Sequence, residues 1–270
     1  MTSHAVILVE DPDDPRVAPF RLNERGLTNR VQRRDDGGDG LFMAEGDLVV
    51  ERALEAGCVP AMSLVDAARP PGITARLAEL APVYAGGERL RAAITKLGMP
   101  YSVVSLFHRP PRAFPTDLAS TAARLVVAEA IDNPVNIGSI VRNALGMGWD
   151  GLIVDATSAD PLSRRSLRVS MGHALHLPYA RTTDVPGLVR SLTAQGVVVC
   201  ALTPAPGALP LYEVEPAPRM ALLIGSERAG LSPAAMNAAT LRVSIPMGAG
   251  VDSLNAAAAT AVACWQLRPR

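Results

Sequence analysis

Three strand-like runs in the C-terminal half constrain this fold more than any other feature. They are residues 197–202, 221–224 and 241–245, the first reading Val197-Val198-Val199-Cys200-Ala201-Leu202. A run of this length without alternation is buried on both faces, which argues for a mainly parallel sheet covered by helices. The segments around them agree. Residues 185–194 have helical spacing and stop at Gln195-Gly196. Upstream, residues 124–131 predict a strand, 132–136 a turn, 137–147 a helix stopped by Gly148, 151–155 a strand and 163–171 a helix. In such a sheet, ligands sit at the C-terminal ends of the strands.

The N-terminal part has a different grain. Residues 1–15 are polar and acidic, with Asp11, Asp13 and Asp14 interleaved with prolines, and predict a flexible arm. Residues 16–107 alternate strand-like and helix-like pieces, an α/β unit of its own. Residues 108–119 contain Pro110, Pro111 and Pro115 and predict a linker, leaving residues 120–270 as the second domain. Hydrophobic residues make up 49% of the chain and charged residues 19%, enough apolar surface for two cores. The sequence shows neither a secretory signal nor an apolar run of membrane-spanning length, and the odd set Cys58, Cys200 and Cys264 lies in apolar contexts. Together these predict a cytoplasmic protein with reduced core cysteines. Net charge is zero, so any nucleic-acid contact must come from local patches.

Four strand-end segments carry the candidate chemistry. The first, Asn133-Pro134-Val135-Asn136-Ile137-Gly138, leads into a helix bearing Arg142 among apolar neighbours, with Asn136 placed as its N-cap. The second is Leu202-Thr203-Pro204. The third is Gly225-Ser226-Glu227-Arg228-Ala229-Gly230-Leu231, where a glycine after a buried strand permits close approach to the backbone. The fourth runs from Ile245-Pro246-Met247 through Ser253-Leu254-Asn255 to an Ala-rich helix. Such strand-loop-helix junctions present backbone N–H groups to polar ligands. Taken singly, each is ordinary: a cap, a snorkelling arginine, a solvated carboxylate. No phosphate-cradling G-x-x-x-x-G-K-[ST], no G-x-G-x-x-G after the first strand and no G-x-S-x-G elbow is present, which argues against nucleoside triphosphate, standard dinucleotide and serine-hydrolase sites.

In this order and spacing, Asn136-x-Gly138-x-x-x-Arg142, Gly225-Ser226-Glu227-x-x-Gly230-Leu231 and Ile245-Pro246-Met247 to Ser253-Leu254-Asn255 resemble the three motifs of the SpoU (TrmH) family. These are RNA 2′-O-ribose methyltransferases of the SPOUT superfamily. The resemblance covers residues 120–268. It implies a parallel sheet with a deep trefoil knot, a homodimer formed through the knotted domain, and S-adenosyl-L-methionine as cofactor. It implies Thr203, Gly225, Ile245 and Leu254 as cofactor-binding residues, and Arg142, Asn136, Glu227, Ser253 and Asn255 as the catalytic set. Arg142 is then either the activator of the ribose hydroxyl or an electrostatic partner of the alkoxide or a phosphate. The N-terminal unit is similar to the ribosomal-protein-like substrate-binding domain of many members. That favours ribosomal RNA, 23S rRNA, over tRNA, with a tRNA enzyme or a non-catalytic RNA-binding module on the same fold as alternatives.

Outside the motifs, Arg30, Arg33 and Arg34 form the densest basic patch and are candidate RNA contacts, as is Arg168 in a helix also carrying Arg164 and Arg165. His173 and His176 have a metal-compatible spacing but no accompanying Cys or acidic cluster, so no metal is expected. With ten aromatic residues and no aromatic-basic interleaving, base stacking is not the expected mode of readout by the N-terminal unit.

Overall fold

The computed structural model describes residues 5–28, 40–96, 98–248 and 250–269. The chain divides into two units, residues 1–111 with 162–176 and residues 112–161 with 177–270.

The first unit is built on a five-stranded sheet in the order β1-β4-β3-β5-β2. Its strands are β1 (Val6–Leu8), β2 (Leu41–Glu45), β3 (Pro60–Asp66), β4 (Val83–Gly86) and β5 (Val103–His108). β1, β4 and β3 run parallel, while β5 is antiparallel to both β3 and β2. The helices are α1 (Glu24–Leu27), α2 (Asp47–Glu55), α3 (Thr74–Leu80) and α4 (Glu88–Thr95). Phe20, Met43, Leu64, Ile94 and Leu106 are buried in one core cluster. Phe42 and Phe107 stack with ring centroids 5.4 Å apart.

Two features differ from the expectation for this region. The acidic N-terminal stretch is not a free arm over its described part, because Val6–Leu8 pairs with β4 and Asp14 caps the 3-10 segment Pro15–Arg21. Val17 and Phe20 on that segment are buried and tie it down. The second difference is α7 (Arg164–Val169), expected on an exposed helix of the C-terminal domain. Residues 162–176 group with the first unit, and Arg164 donates from Nε to Glu45 Oε1 at 3.0 Å and also from Nη2. Arg168 Nη1 lies 3.1 Å from Glu45 Oε2. The Glu45 side chain is 0% exposed. A carboxylate so buried requires paired cations, which is the physical reason these arginines are not free surface charges.

Removing Arg164 leaves that carboxylate with Arg168 alone. Arg164→Ala is expected to cost about 2 kcal/mol of stability, less than a fully buried pair because the guanidinium is partly exposed. Urea unfolding monitored by circular dichroism checks it, and an unchanged midpoint would rule out the pairing as a stabilising contact.

The second unit holds a seven-stranded sheet in the order β10-β12-β9-β11-β6-β7-β8, with every neighbouring pair parallel. The strands are β6 (Arg124–Glu129), β7 (Gly151–Asp155), β8 (Tyr179–Thr182), β9 (Val198–Leu202), β10 (Leu209–Pro210), β11 (Met220–Gly225) and β12 (Leu241–Ser244). The helices are α5 (Pro115–Thr121), α6 (Pro134–Gly146), α8 (Val185–Ala194), α9 (Pro233–Ala238) and α10 (Ala256–Gln266). The parallel sheet follows the two-sided burial of β9 and β11. β12 departs from that pattern, since Arg242 is exposed between partly buried Leu241 and buried Val243. Part of the expected linker is helical: Pro115 occupies the first turn of α5, where a missing N–H costs nothing.

α10 is fixed at both ends. Asn255 caps it by accepting from the N–H groups of Ala257 and Ala258. Near its other end, the buried Trp149 donates from Nε1 to the Cys264 carbonyl at 3.0 Å, and Arg124 donates from Nε to the Leu267 carbonyl at 2.9 Å. Ala256, Ala257, Ala259, Ala263 and Cys264 are buried, so the small side chains of this helix are its packing surface. All three cysteines are free and buried, and burial pushes the Cys58 and Cys200 thiols up to about 11, leaving them unreactive. Among the described residues, no helix is long and apolar enough to cross a membrane.

Candidate functional site

The C-terminal ends of β9, β11 and β12 open into a cleft of about 440 Å³. Thr203, Gly225, Ile245 and Leu254 all line it. Thr203 is buried, its N–H donates to the Val243 carbonyl at 2.9 Å, and its hydroxyl oxygen accepts from the Ala205 N–H at 3.2 Å. Ile245 and Leu254 are half-buried apolar groups, with Leu202 and Ile224 also in the lining. The charged groups on the lining are Glu227, Arg228 and Asp252. A cleft of this size with apolar walls and a few polar groups suits a nucleoside-sized ligand. Two carboxylates against one guanidinium also suit a cationic centre on that ligand.

Gly225 has a reason beyond ligand approach. A Cβ built there would lie 2.3 Å from the Gly230 carbonyl carbon and 2.4 Å from the Leu231 nitrogen. The chain folds back on itself at this point, with Ser226 bridging to Gly230 and Gly230 at φ +67°. Gly225→Ala is therefore expected to push the loop outward. Strain of about 2 kcal/mol for such overpacking corresponds to roughly a 30-fold loss of affinity for a ligand in this cleft. Titration calorimetry checks it, and wild-type affinity would show that the loop can shift without consequence.

Three of the five catalytic candidates form one hydrogen-bonded cluster. Asn136 donates from Nδ2 to Glu227 Oε1 at 2.8 Å. Asn255 donates from Nδ2 to the same oxygen at 2.5 Å and to Asn136 Oδ1 at 3.1 Å. Asn136 is 91 residues from Glu227 in sequence, and Asn255 is 119 residues from Asn136. Asn136 is buried, while Glu227 and Asn255 are exposed. Asn136 is not the cap of its helix. Asn133 accepts from the Val135 N–H, Pro134 opens α6, and Asn136 sits in the first turn with its amide free for Glu227.

Ser253 is exposed on the cleft lining, outside the cluster. Arg142 lies elsewhere again. It is on the exposed face of α6, does not line the cleft, and makes no hydrogen bond or ion pair among the described residues. The neighbouring Asn143 donates from Nδ2 to the Ala257 carbonyl at 3.0 Å, which packs α6 against α10. Arg30, Arg33 and Arg34 lie outside the described residues, and Arg168 is engaged by Glu45. Among the described residues, no group of three His, Cys, Asp or Glu side chains is placed to hold a metal ion.

Sequence reasoning missed two carboxylates that shape the loops. Asp155, at the end of β7, accepts from the Ala130 N–H at 2.9 Å and from the Ser158 N–H and hydroxyl. Burial pushes its carboxyl up, but hydrogen bonds from Ser158, Thr157 and Ala130 outweigh that and hold it below the usual value. It pins the turn after β6, where Ala130 has φ +56°. Glu129, at the end of β6, accepts from both the N–H and the hydroxyl of Ser232. Neither had a local signal, since each partner is remote or within an unremarkable polar loop.

The SpoU rRNA methylase family matches residues 123–265, more than half of the chain. This chain belongs to that family. The SpoU match takes in β6 through α10 and so contains the whole cluster and cleft. The chain is 38% identical over 269 residues to an uncharacterized tRNA/rRNA methyltransferase of Mycobacterium bovis, covering 95% of this chain and 89% of that one. It is 29% identical over 228 residues to the 23S rRNA (guanosine(2553)-2′-O)-methyltransferase RlmP of Bacillus subtilis, covering 84% and 88%. Among solved structures it is similar to the AdoMet-bound rRNA methyltransferase of Sinorhizobium meliloti, with TM-score 0.81, 25% identity and 97% of each chain covered. As a SpoU member, the chain is an RNA methyltransferase with an α/β fold and a parallel sheet.

Proposed function

We propose that this SpoU protein transfers a methyl group from S-adenosyl-L-methionine to a ribose 2′-hydroxyl of ribosomal RNA, in 23S rRNA. The observation that carries the proposal is the Asn136–Glu227–Asn255 cluster, which joins three remote segments at the edge of a nucleoside-sized cleft. The bound cofactor supplies an activated methyl group on a positively charged sulfur. What the protein must add is position and stabilisation of the oxygen as its proton leaves to solvent.

Gly225, Ile245 and Leu254, with Thr203, hold the cofactor in the cleft. Glu227 fixes the two amides of Asn136 and Asn255, and this rigid polar edge orients the ribose. Ser253 offers a hydroxyl beside it. Arg142, without a partner among the described residues, meets the RNA and stabilises the alkoxide or its neighbouring phosphate. An arginine ordinarily remains charged, which favours stabilisation over proton abstraction.

The small-residue packing surface of α10 supports a deep trefoil knot, in which that helix passes through a tight loop. Val262 at 42% exposure and Trp265 at 57% leave an apolar stripe on the other side of α10, which supports a homodimer through this domain. The first unit serves as the RNA-binding domain, with Arg30, Arg33 and Arg34 as its contacts. The similarity to RlmP supports both the ribose specificity and the choice of 23S rRNA.

Mapping 2′-O-methyl sites in total RNA from cells with and without the gene tests the proposal. One 23S rRNA site lost with the gene and restored by the purified protein is the expected result. A tRNA site would replace the substrate, and no change at any site would leave a non-catalytic module.

A further inference from the structure

Glu129 ends β6 and pairs in register with Gly225, where the cleft loop begins. Both of its carboxylate oxygens are committed to one residue at the far end of that loop. Oε2 accepts from the Ser232 N–H at 2.8 Å, and Oε1 accepts from the Ser232 hydroxyl at 2.8 Å. Ser232 in turn caps α9 by accepting from the Ala235 N–H at 3.2 Å. Between these anchors the loop closes on itself, with the Gly230 N–H donating to the Ser226 carbonyl at 2.9 Å and the Ala229 N–H to Ser226 Oγ at 3.1 Å. The loop is therefore a short rigid hairpin held at one end by β11 and at the other by Glu129. Its residues line the cleft, and Glu129 does not.

We propose that Glu129 is a positioning residue that sets the shape of the cofactor cleft by clamping Ser232. The inference rests on the assignment of that cleft to S-adenosylmethionine. The clamp is a two-point, charge-assisted contact, the kind that fixes orientation as well as distance. Glu227 at the hairpin tip is held separately by Asn136 and Asn255. Loss of the clamp should thus loosen the wall of the cleft while leaving the catalytic edge in place. A cap that served only stability would lower the melting temperature and leave the cofactor parameters where they were.

The test uses the full-length protein, with S-adenosylmethionine titrated by calorimetry into wild type, Glu129→Ala, Glu129→Gln and Ser232→Ala, and steady-state methyl transfer measured beside it. Glu129→Ala is expected to raise Kd and KM for the cofactor about tenfold, with kcat at saturating cofactor and KM for RNA changed by less than about twofold. Glu129→Gln keeps one acceptor and gains a donor that Ser232 Oγ can accept, so it should stay within about threefold of wild type. Ser232→Ala keeps the N–H contact and should fall between the two. A folded Glu129→Ala protein with wild-type cofactor affinity, beside a wild type that binds, overturns this inference alone. If Glu129→Ala does not fold, Ser232→Ala decides, and wild-type Kd there overturns the inference. A wild-type protein that binds no S-adenosylmethionine overturns the cofactor assignment and the clamp with it.

Discussion

Arg142→Ala is expected to lower methyl transfer about 10³-fold while leaving S-adenosylmethionine affinity unchanged. The two halves of that expectation come from different observations. Arg142 is outside the cleft lining, so under the proposed assignment of that cleft its removal takes nothing from the cofactor. It is exposed and has no partner among the described residues, so its removal also takes little from the fold, within about 0.5 kcal/mol. The helix packs through Asn136, Ile137, Ile140, Val141 and Ala144, and among the described residues the Arg142 guanidinium takes no part in that packing. What remains is charge. A guanidinium that stabilises the alkoxide acts only in the transition state, which lowers kcat rather than raising KM for the cofactor. Arg142→Lys restores a charge but not the planar fork, and should recover about tenfold of the loss. Single-turnover methylation of the substrate RNA, with cofactor binding measured separately, checks both halves. An Arg142→Ala protein as active as wild type would remove Arg142 from the catalytic set.

The sequence made the parallel sheet legible because β9 and β11 are short and continuously apolar, as strands covered on both faces are. It did not disclose the edges. β1 was hidden because Val6–Leu8 is followed by Glu10, Asp11, Pro12 and Asp13, whose composition reads as loose chain. β8 and β10 are short, at four and two residues, and carry too little periodicity to stand out. The residues of the candidate site were legible as types in spacing, but their contacts were not. Asn136 and Asn133 lie three residues apart and both are good caps, so the helix start could be placed on either. Pro134 at its first turn marks Asn133 as the cap. Glu45 with Arg164, and Glu129 with Ser232, span 119 and 103 residues. Pairings at that range leave no trace in a single chain, so the sequence alone places α7 with the C-terminal domain and gives Glu129 no signal.

Glu227→Ala is expected to reduce methyl transfer about 10²-fold, and the geometry says where the loss arises. One carboxylate oxygen accepts from Asn136 at 2.8 Å and from Asn255 at 2.5 Å. Hydrogen bonds to a charged acceptor contribute roughly 1.5–3 kcal/mol each, so losing two is enough for about 10² in rate even if the edge partly repacks. Asn255 keeps its contact to Asn136 Oδ1, but the buried Asn136 amide is left without an acceptor. Two flexible amides then replace one fixed polar edge, and under the proposed function the ribose is held less often in a reactive orientation. Glu227→Gln separates position from charge, because its carbonyl oxygen can still accept from both amides. If Glu227 acts by holding Asn136 and Asn255, the Gln variant should retain activity to within about tenfold. If it acts by its charge, Gln and Ala should fall together. Asn255→Ala provides the cross-check through a double-mutant cycle with Glu227→Ala, in which the losses should be markedly less than additive because both remove the same contact. Additive losses would mean that the two residues work independently, and that the cluster does not act as a unit.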